Sequence, residues 1–388
     1  MKILYISTIN LSLTKGETTH FTELGHNLEK MGNELLIICR GEKNQKYGFN
    51  NIRLIPQINA SYLSIFFLDA ILGLYLFFYI LKFKPDAVYY RGITWGGIIS
   101  RLLGIPSIAE ANGIYHEEIS LKLTGIKKKI IPAFHEVRER VNYSAVTKII
   151  CVTEGIKSEL GVHFGINPLK CKVLSNGAND TTFHPLETKT CRKEIGLDPD
   201  GFYLGFIGTF KHWHGLDILI SAMDLVIKKG FNNIKCVLVG DGPLFQNMKE
   251  AVEYYNLMDN VFFLGSVAHN NIVKYINSFD ICVNPSRSGM ASKIGLSSLK
   301  IYEYLACTRP VIASRIKGIT ELVKEGNCGY LFEPDNFDEL ASRIIEAYEN
   351  RQNLASMGLC GRKLIEEKYS WKKVAQRTQK ILEETLKK

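Results

Sequence analysis

Lys300 and Glu303 stand three residues apart at the start of an expected helix, opposite charges that can reach the same point. The stretch around them reads ICVNPSRSGMASKIGLSSLKIYEYLACTRPVIASR from Ile281 to Arg315. An apolar run, Ile281 to Val283, ends at Asn284, Pro285 and Ser286, and a loop carrying Arg287 and Lys293 follows. Ser297 and Ser298 open a helix on which Leu299, Tyr302, Leu305 and Ala306 recur on one face. Thr308, Arg309 and Pro310 stop it, and a second apolar run begins at Val311. Strand, loop, helix, strand is the unit of a parallel sheet. A cation in the first turn of a helix is disfavoured, because the free N–H groups already make that end positive. A bound anion would satisfy both. A phosphate beside a carboxylate that accepts hydroxyl protons is what a sugar nucleotide needs. On these residues alone, a solvated ion pair three residues apart is equally open.

The elements that must hold such a site are those of an ordinary globular chain. Its 388 residues suggest two or three domains, and 46% hydrophobic with 22% charged residues excludes collagen-like and disordered classes. The net charge of +9 points to an anionic partner: a nucleotide, a phosphate-bearing lipid, an anionic membrane or nucleic acid. Nine cysteines without a CxxC pair read as small buried hydrophobes in a reducing compartment, not as metal ligands or disulfides. The chain starts directly in a strand-like run with no signal peptide, so a cytoplasmic location is expected.

From the N-terminus, Ile3 to Ser7 is a strand, Thr8 to Thr19 a polar loop with Lys15 and Gly16, then a helix to Met31 and a strand from Leu35 to Cys39. This is a βαβ opening of Rossmann type without the G-x-G-x-x-G of dinucleotide sites. Gly16 either lets a ligand approach the backbone or forms a plain turn. Ser61 to Leu81 is the most apolar segment and about the ~20 residues a bilayer span needs. Asp69 near its middle speaks against spanning, and the expected placement is a helix packed on the sheet with some membrane contact. Pro106 to Glu110 is a strand. Polar groups following such a strand make Asn112, His116, Glu117 and Glu118 site candidates, with a capped Asn-Gly turn as the alternative. From Lys122 to Val141, basic residues (Lys127, Lys128, Lys129, Arg138, Arg140) and apolar ones (Ile130, Ile131, Phe134, Val137) alternate at helical spacing. That suggests an anionic membrane surface, a solvated face being the alternative. Basic and aromatic residues do not interleave as on a base-stacking surface, so no nucleic acid partner is expected.

After a boundary placed near residue 185, Phe202 to Ile207 is a strand leading into Gly208, Thr209, Phe210, Lys211, His212, Trp213, His214 and Gly215. A glycine turn with a lysine at a strand-to-helix junction is a plausible anion cradle, with Lys211 and His214 able to reach phosphate. It lacks the GK[ST] of a Walker loop. Gly240 to Pro243 reads as a tight turn, and Trp371 to Leu386 as a last, charged helix.

In their order and spacing, GTFKHWHGLDILISA (208–222), VLVGDGPL (237–244), NVFFLGSV (260–267), FDICVNPS (279–286), SLKIYEYLACTRPVIAS (298–314) and GYLFEPDNFDELASRI (329–344) resemble the retaining glycosyltransferases of family 4. VLSNGANDTTFHP (173–185) resembles that family's linker-side motif and GIPSIAEANG (104–113) its acceptor-domain strand. The resemblance implies an α/β chain of the GT-B fold, two Rossmann-like domains facing a central cleft. Residues 1–185 would form the acceptor domain, 186–370 the nucleotide-sugar domain, and 371–388 a helix returning to the first. It places Lys211 near the donor diphosphate, the backbone of Ser266 and Val267 at the base, Glu303 on the ribose and Gly16 near the phosphates. Three features depart from the family. Gly295 stands where the first glutamate of the EX7E pair is usual. The run Gly295, Leu296, Ser297, Ser298, Leu299, Lys300 resembles instead a subgroup whose loop offers backbone N–H groups and a lysine to the phosphates. Near Thr209 and His214 the family has an arginine and a lysine, so Lys211 and Lys300 are expected to carry the charge, with Gly208, Thr209 and His214 lining the donor. Asn112 occupies the place of a histidine near the sugar's 6-hydroxyl, with His116 and Glu118 as weaker acceptor-side candidates.

The expected activity is retaining transfer of a sugar from a nucleotide-diphosphate donor, UDP-linked, to a lipid-linked or glycan acceptor at the inner face of an anionic membrane. Lys211, Lys300 and Glu303 are the expected catalytic residues, and no cofactor or metal is called for, since no Asp/His cluster offers one. A nucleotide-sugar epimerase or hydrolase on the same fold, or a non-catalytic sugar-nucleotide scaffold, are the alternatives.

Overall fold

Parallel strands covered on both faces read as continuous apolar runs. In β1 (Lys2–Asn10), Ile3, Leu4, Tyr5 and Ile6 are accordingly all fully buried. The structure is a computed structural model and describes residues 1–13, 15–55, 62–92, 95–120, 123–125 and 127–387, with only the backbone for 62–69. Ser61, Lys122 and the side chain of Asp69 lie outside the described residues. By its contacts the chain forms two units, Met1–Ser175 with Val374–Lys388, and Asn176–Lys373. The first changeover falls before residue 185, and the return falls inside the last helix.

The first unit continues with α1 (Gly16–Lys30), β2 (Glu34–Arg40), β3 (Ile52–Ile55), α2 (Tyr62–Phe83), β4 (Ala87–Arg91), α3 (Gly96–Leu102) and β5 (Ser107–Ala111). Then come α4 (Tyr115–Ser120), α5 (Lys127–Ala145), β6 (Lys148–Cys151), α6 (Glu154–Phe164) and β7 (Cys171–Val173). Its sheet runs β3-β2-β1-β4-β5-β6-β7, every pairing parallel. Leu72, Leu76 and Ile80 of α2, spaced four apart, are buried, whereas Leu74, Phe77, Phe78 and Leu81 are exposed. Among the described residues no helix is long and apolar enough to cross a membrane. The polar stretch after β5 turns into α4 at Tyr115, and α5 starts at Lys127 and tolerates Pro132 in its interior.

The second unit holds α7 (Thr188–Glu194), β8 (Phe202–Ile207), α8 (Leu216–Lys228), β9 (Ile234–Val239), α9 (Phe245–Tyr254), β10 (Val261–Gly265), α10 (Ile272–Ser278) and β11 (Ile281–Asn284). These are followed by α11 (Met290–Ile294), α12 (Leu299–Ala306), β12 (Val311–Ser314), α13 (Ile319–Gly326), β13 (Gly329–Phe332), α14 (Phe337–Glu349) and α15 (Leu354–Leu364). The last helix, α16 (Trp371–Leu386), straddles the return to the first unit, where Asn33 Nδ2 donates to Gln379 Oε1 at 2.8 Å. The second sheet runs β10-β9-β8-β11-β12-β13, again all parallel. Period-two alternation sends Leu204 and Phe206 into one core with α8 and α14, and Tyr203 and Ile207 into another with α12 and α13. Both sheets are thus Rossmann-like. In each, the strand order reverses beside the first strand, β1/β4 in one and β8/β11 in the other, where an open α/β sheet leaves a crevice at its carboxyl ends.

Packing across β8 leaves no slack. A Cβ placed on Gly205 would lie 1.9 Å from the Phe279 ring. Gly205→Ala is expected to lower stability by about 1–3 kcal/mol through overpacking, read as a fall in the denaturation midpoint.

Candidate functional site

Four segments meet around the carboxyl ends of β8 and β11, and their junctions are made by backbone. Gly208 N–H donates to Val239 O, and Phe210 N–H to Asp241 O, both at 2.9 Å. Cβ atoms on Gly240 and Gly242 would strike the backbone of Gly208 and Phe210 at 1.9 and 2.7 Å. The Gly240 to Pro243 turn is therefore a close approach supporting the 208–215 loop. Arg287 N–H donates to Trp213 O at 3.1 Å, and the Arg287 guanidinium is held by Asp217 and Asp335. The loop after β11 is thereby latched to the loop after β8. Tyr304 OH accepts the Ile207 N–H at 2.9 Å, which ties α12 to the end of β8.

Lys300 is the side chain this scaffold leaves unanswered. Its ammonium nitrogen is buried, has no hydrogen-bond partner among the described residues, and lies 4.6 Å from the centre of the Phe206 ring. Burial pushes its pKa down to about 7 against the attraction of Glu303. A Cβ on Gly208 would come within 2.8 Å of the nitrogen, so glycine is what leaves this space open. Ser298 is the N-cap of α12 as its sequence suggests, but no side chain caps the first turn. Its N–H dipoles stand beside the buried lysine. His214 is held neutral, its pKa pushed down to about 3 by burial and then by the Lys300 and Lys211 charges. Its Nδ1 meets Thr209 O, so that nitrogen carries the proton and Nε2 the lone pair. Lys211 rests its ammonium 4.8 Å above the exposed Trp213 ring.

The structure thus gathers Gly208, Thr209, Lys211, His214, Lys300, Glu303 and the 295–299 run at one strand-order reversal. Ser266 and Val267 follow β10, where Gly265 O accepts the Gly240 N–H at 2.7 Å. Part of the 295–299 run is already committed. Gly295 N–H goes to Ala291 O and Leu296 N–H to Lys317 O, because the short α11 occupies what the sequence suggests is open loop. Ser297 Oγ accepts from Asn176 N–H and meets Tyr302 OH, and Ser298 Oγ accepts from Asn284 Nδ2. What this run can still offer an anion is backbone N–H from Ser297 onward. Gly295 itself sits at φ 77°, ψ 175°, a region essentially confined to glycine. A glutamate there would be strained, so its absence belongs to the backbone conformation. Asn176, Asn284 and Tyr304 were invisible as site supports in the sequence, since their partners lie far along the chain.

In the first unit, Gly16 opens α1 after the β1 loop, and its N-cap Lys15 makes no side-chain cap bond. Asn112 does not point into free space. Its Nδ2 donates to Glu110 Oε1 at 2.6 Å. Glu110, not singled out in the sequence, is the hub: fully buried, it also accepts from Tyr89 OH at 2.7 Å, meets His20 Nε2 at 3.0 Å and lies 3.5 Å from Arg91. Burial alone would raise its pKa. The neighbouring His20 and Arg91, with hydrogen bonds from His20 and Tyr89, outweigh burial and hold the carboxyl well below the usual range. His116 turns onto α5, its Nδ1 2.8 Å from Glu139 Oε2, while Glu139 also accepts the N–H groups of Tyr115 and His116. Glu117 is half-buried and Glu118 exposed, with the Glu118 carboxylate lying back over Gly113. The sequence shows no Asp/His cluster, but the fold does bring together a His/Glu group. Ligand atoms of His116, Glu136 and His163 lie within 4.8 Å of one another, brought together from α4, α5 and α6.

Known proteins share this architecture. The family model for glycosyl transferases group 1 matches residues 187–364, and that for glycosyltransferase family 4 matches residues 14–182. An uncharacterized glycosyltransferase of Methanocaldococcus jannaschii is 31% identical over 238 residues, 61% of this chain and 59% of that protein. Sucrose-phosphate synthase of Thermosynechococcus elongatus superposes with a TM-score of 0.79 at 17% identity over 99% of both chains. Anabaena HepE, solved with UDP-glucose, superposes with a TM-score of 0.74 at 18% identity over 99% of this chain and 100% of that one. The chain belongs to the group 1 and family 4 glycosyltransferases, with the GT-B fold.

A buried carboxylate held below its usual pKa stabilises the folded state above its unfolded pKa and loses that contribution as pH falls through the folded value. Glu110→Gln is expected to cost about 3 kcal/mol at pH 7, since it leaves the half-buried Arg91 without its counter-charge. The gap from wild type, measured by chemical denaturation, should narrow in acid.

Proposed function

We propose that the chain transfers a sugar, with retention, from a nucleoside diphosphate donor, UDP-linked, to a hydroxyl of a membrane-associated lipid-linked or glycan acceptor. The observation that carries this reading is the buried, unpartnered Lys300 ammonium beside the uncapped first turn of α12, at the strand-order reversal of the second unit. Two positive features without an acceptor call for an anion, and a diphosphate supplies one. Membership of a glycosyltransferase family and the likeness to a structure holding UDP-glucose support that donor class.

In this reading, Lys300 and Lys211 neutralise charge developing on the leaving diphosphate, fixed in place before reaction. Glu303 accepts ribose hydroxyls one helical turn on. The backbone of Ser266 and Val267 meets the base, and neutral His214 offers Nε2 as an acceptor to a donor hydroxyl. No side chain serves as nucleophile: the leaving phosphate takes the acceptor's proton on the face where the new bond forms.

The acceptor side rests on α5. Its outward stripe is apolar, with Ile130, Phe134, Val137 and Val141 all exposed, and Lys127, Lys128 and Lys129 are exposed at its start. The face turned inward carries Pro132, His135, Asn142 and Tyr143, all buried. An outward apolar stripe beside lysines suits an anionic bilayer surface.

Near neutrality Lys300 is only partly protonated, and a bound diphosphate restores the proton. At pH 8, UDP binding should therefore take up a proton, seen by calorimetry as an enthalpy that varies with buffer ionisation. Lys300→Met should abolish the uptake, raise the melting temperature by removing an unpaired buried charge, and lower kcat/KM for sugar transfer about 10²-fold or more. Transfer from a panel of UDP-sugars to membrane lipid extract that is unchanged in this variant would sink the donor-site reading. Binding to vesicles containing anionic phospholipid should exceed binding to neutral ones, weaken with salt and fall in Phe134→Asp. Equal binding to both vesicle types would remove the membrane reading alone.

A further inference from the structure

His116, Glu136 and His163 come from three helices of the first unit and take no part in the donor site. Their ligand atoms lie within 4.8 Å of one another. The two imidazole rings are nearly parallel, 14° between planes with centroids 5.2 Å apart, and Glu136 Oε1 is 3.2 Å from His163 Nε2. Glu139 grips His116 Nδ1 at 2.8 Å. This fixes the tautomer and leaves Nε2 as the nitrogen facing outward from that bond. An imidazole whose second nitrogen is held by a carboxylate is the arrangement that supports a metal ligand. His116 is buried, while His163 and Glu136 keep side-chain exposures of 40% and 32%, which gives an ion a way in.

We propose that His116 Nε2, Glu136 and His163 Nε2 bind one divalent transition-metal ion of the zinc class, with Glu139 orienting His116 behind it. Two imidazoles and one carboxylate without a thiolate suit Zn²⁺, Ni²⁺ or Co²⁺ rather than Mg²⁺ or Ca²⁺. Drawing the three groups to bonds of about 2.1 Å needs side-chain shifts of about 1 Å. Each imidazole ligates through an Nε2 lone pair, and the Nδ1–H of His116 stays on Glu139. Arg140 holds Glu136 Oε1 at 3.4 Å and His163 O at 3.3 Å. On metal binding it must swing to the far carboxylate oxygen. The bound ion joins α4, α5 and α6, so it braces α5, the helix that carries the exposed apolar stripe.

The test uses the full chain stripped with chelator and titrated with Zn²⁺ by calorimetry, and with Co²⁺ followed by its visible absorption. One saturable equivalent is expected, with Co²⁺ bands of nitrogen and oxygen ligation and no thiolate charge-transfer band, which sets aside the exposed Cys360. Zn²⁺ should raise the melting temperature of the wild-type chain. Glu136→Gln and His163→Ala, both at partly exposed positions that tolerate change, should weaken binding at least about 100-fold and abolish the thermal shift, and Glu139→Gln should weaken it about 10–100-fold. Absence of saturable binding, a thiolate band, or binding unchanged in Glu136→Gln and His163→Ala would each overturn the assignment.

Discussion

The second unit is built around an ammonium group with nothing to hold. Burying a charge without a partner is costly, and Lys300 sits with its nitrogen enclosed above Phe206. The surrounding structure keeps it there. Tyr304 fastens α12 to the end of β8, Gly208 leaves the space a side chain would fill, and Gly240 and Gly242 let the β9 turn brace that loop. Ser297 and Ser298 spend their hydroxyls on Asn176, Tyr302 and Asn284, so the run before α12 is rigid before any ligand arrives.

The first unit buries a charge in the opposite manner. Glu110 has a hydrogen-bond or ionic partner in His20, Tyr89, Arg91 and Asn112, drawn from α1, from β4 and from the loop that follows β5. Every partner is in place, so the cluster works as a structural pin. One sheet end is closed by a satisfied anion, and the other sheet end holds an unsatisfied cation. The contrast separates a charge that stabilises the fold from one kept at the fold's expense, and it is the second kind that marks a site awaiting a ligand.

Much of this was legible in the chain. Continuous apolar runs marked the strands, and Ser298 marked the start of α12, because caps and burial are local signals. Lys300 stood out because a cation in a first turn breaks a local rule. The segments that escaped, α6, α7 and α11 among them, are short or polar, and tertiary contacts decide them. Glu110 looked like the last residue of a strand, since its partners come from positions as distant as His20. The committed N–H groups of Gly295 and Leu296 depend on Ala291 and Lys317, which only the folded loop brings near. His116, Glu136 and His163 are likewise separated in sequence and meet only when three helices dock.

Because the pKa of Lys300 is pushed down to about 7, this nitrogen contributes little positive charge in a mildly alkaline medium. A singly charged ion such as chloride therefore gains little from it. An occupant has to bring enough negative potential to recharge the lysine as it enters, and a diphosphate does so more readily than a singly charged ion. The pocket thus screens its occupants by their capacity to recruit a proton, a discrimination exercised before any shape or hydroxyl pattern is compared.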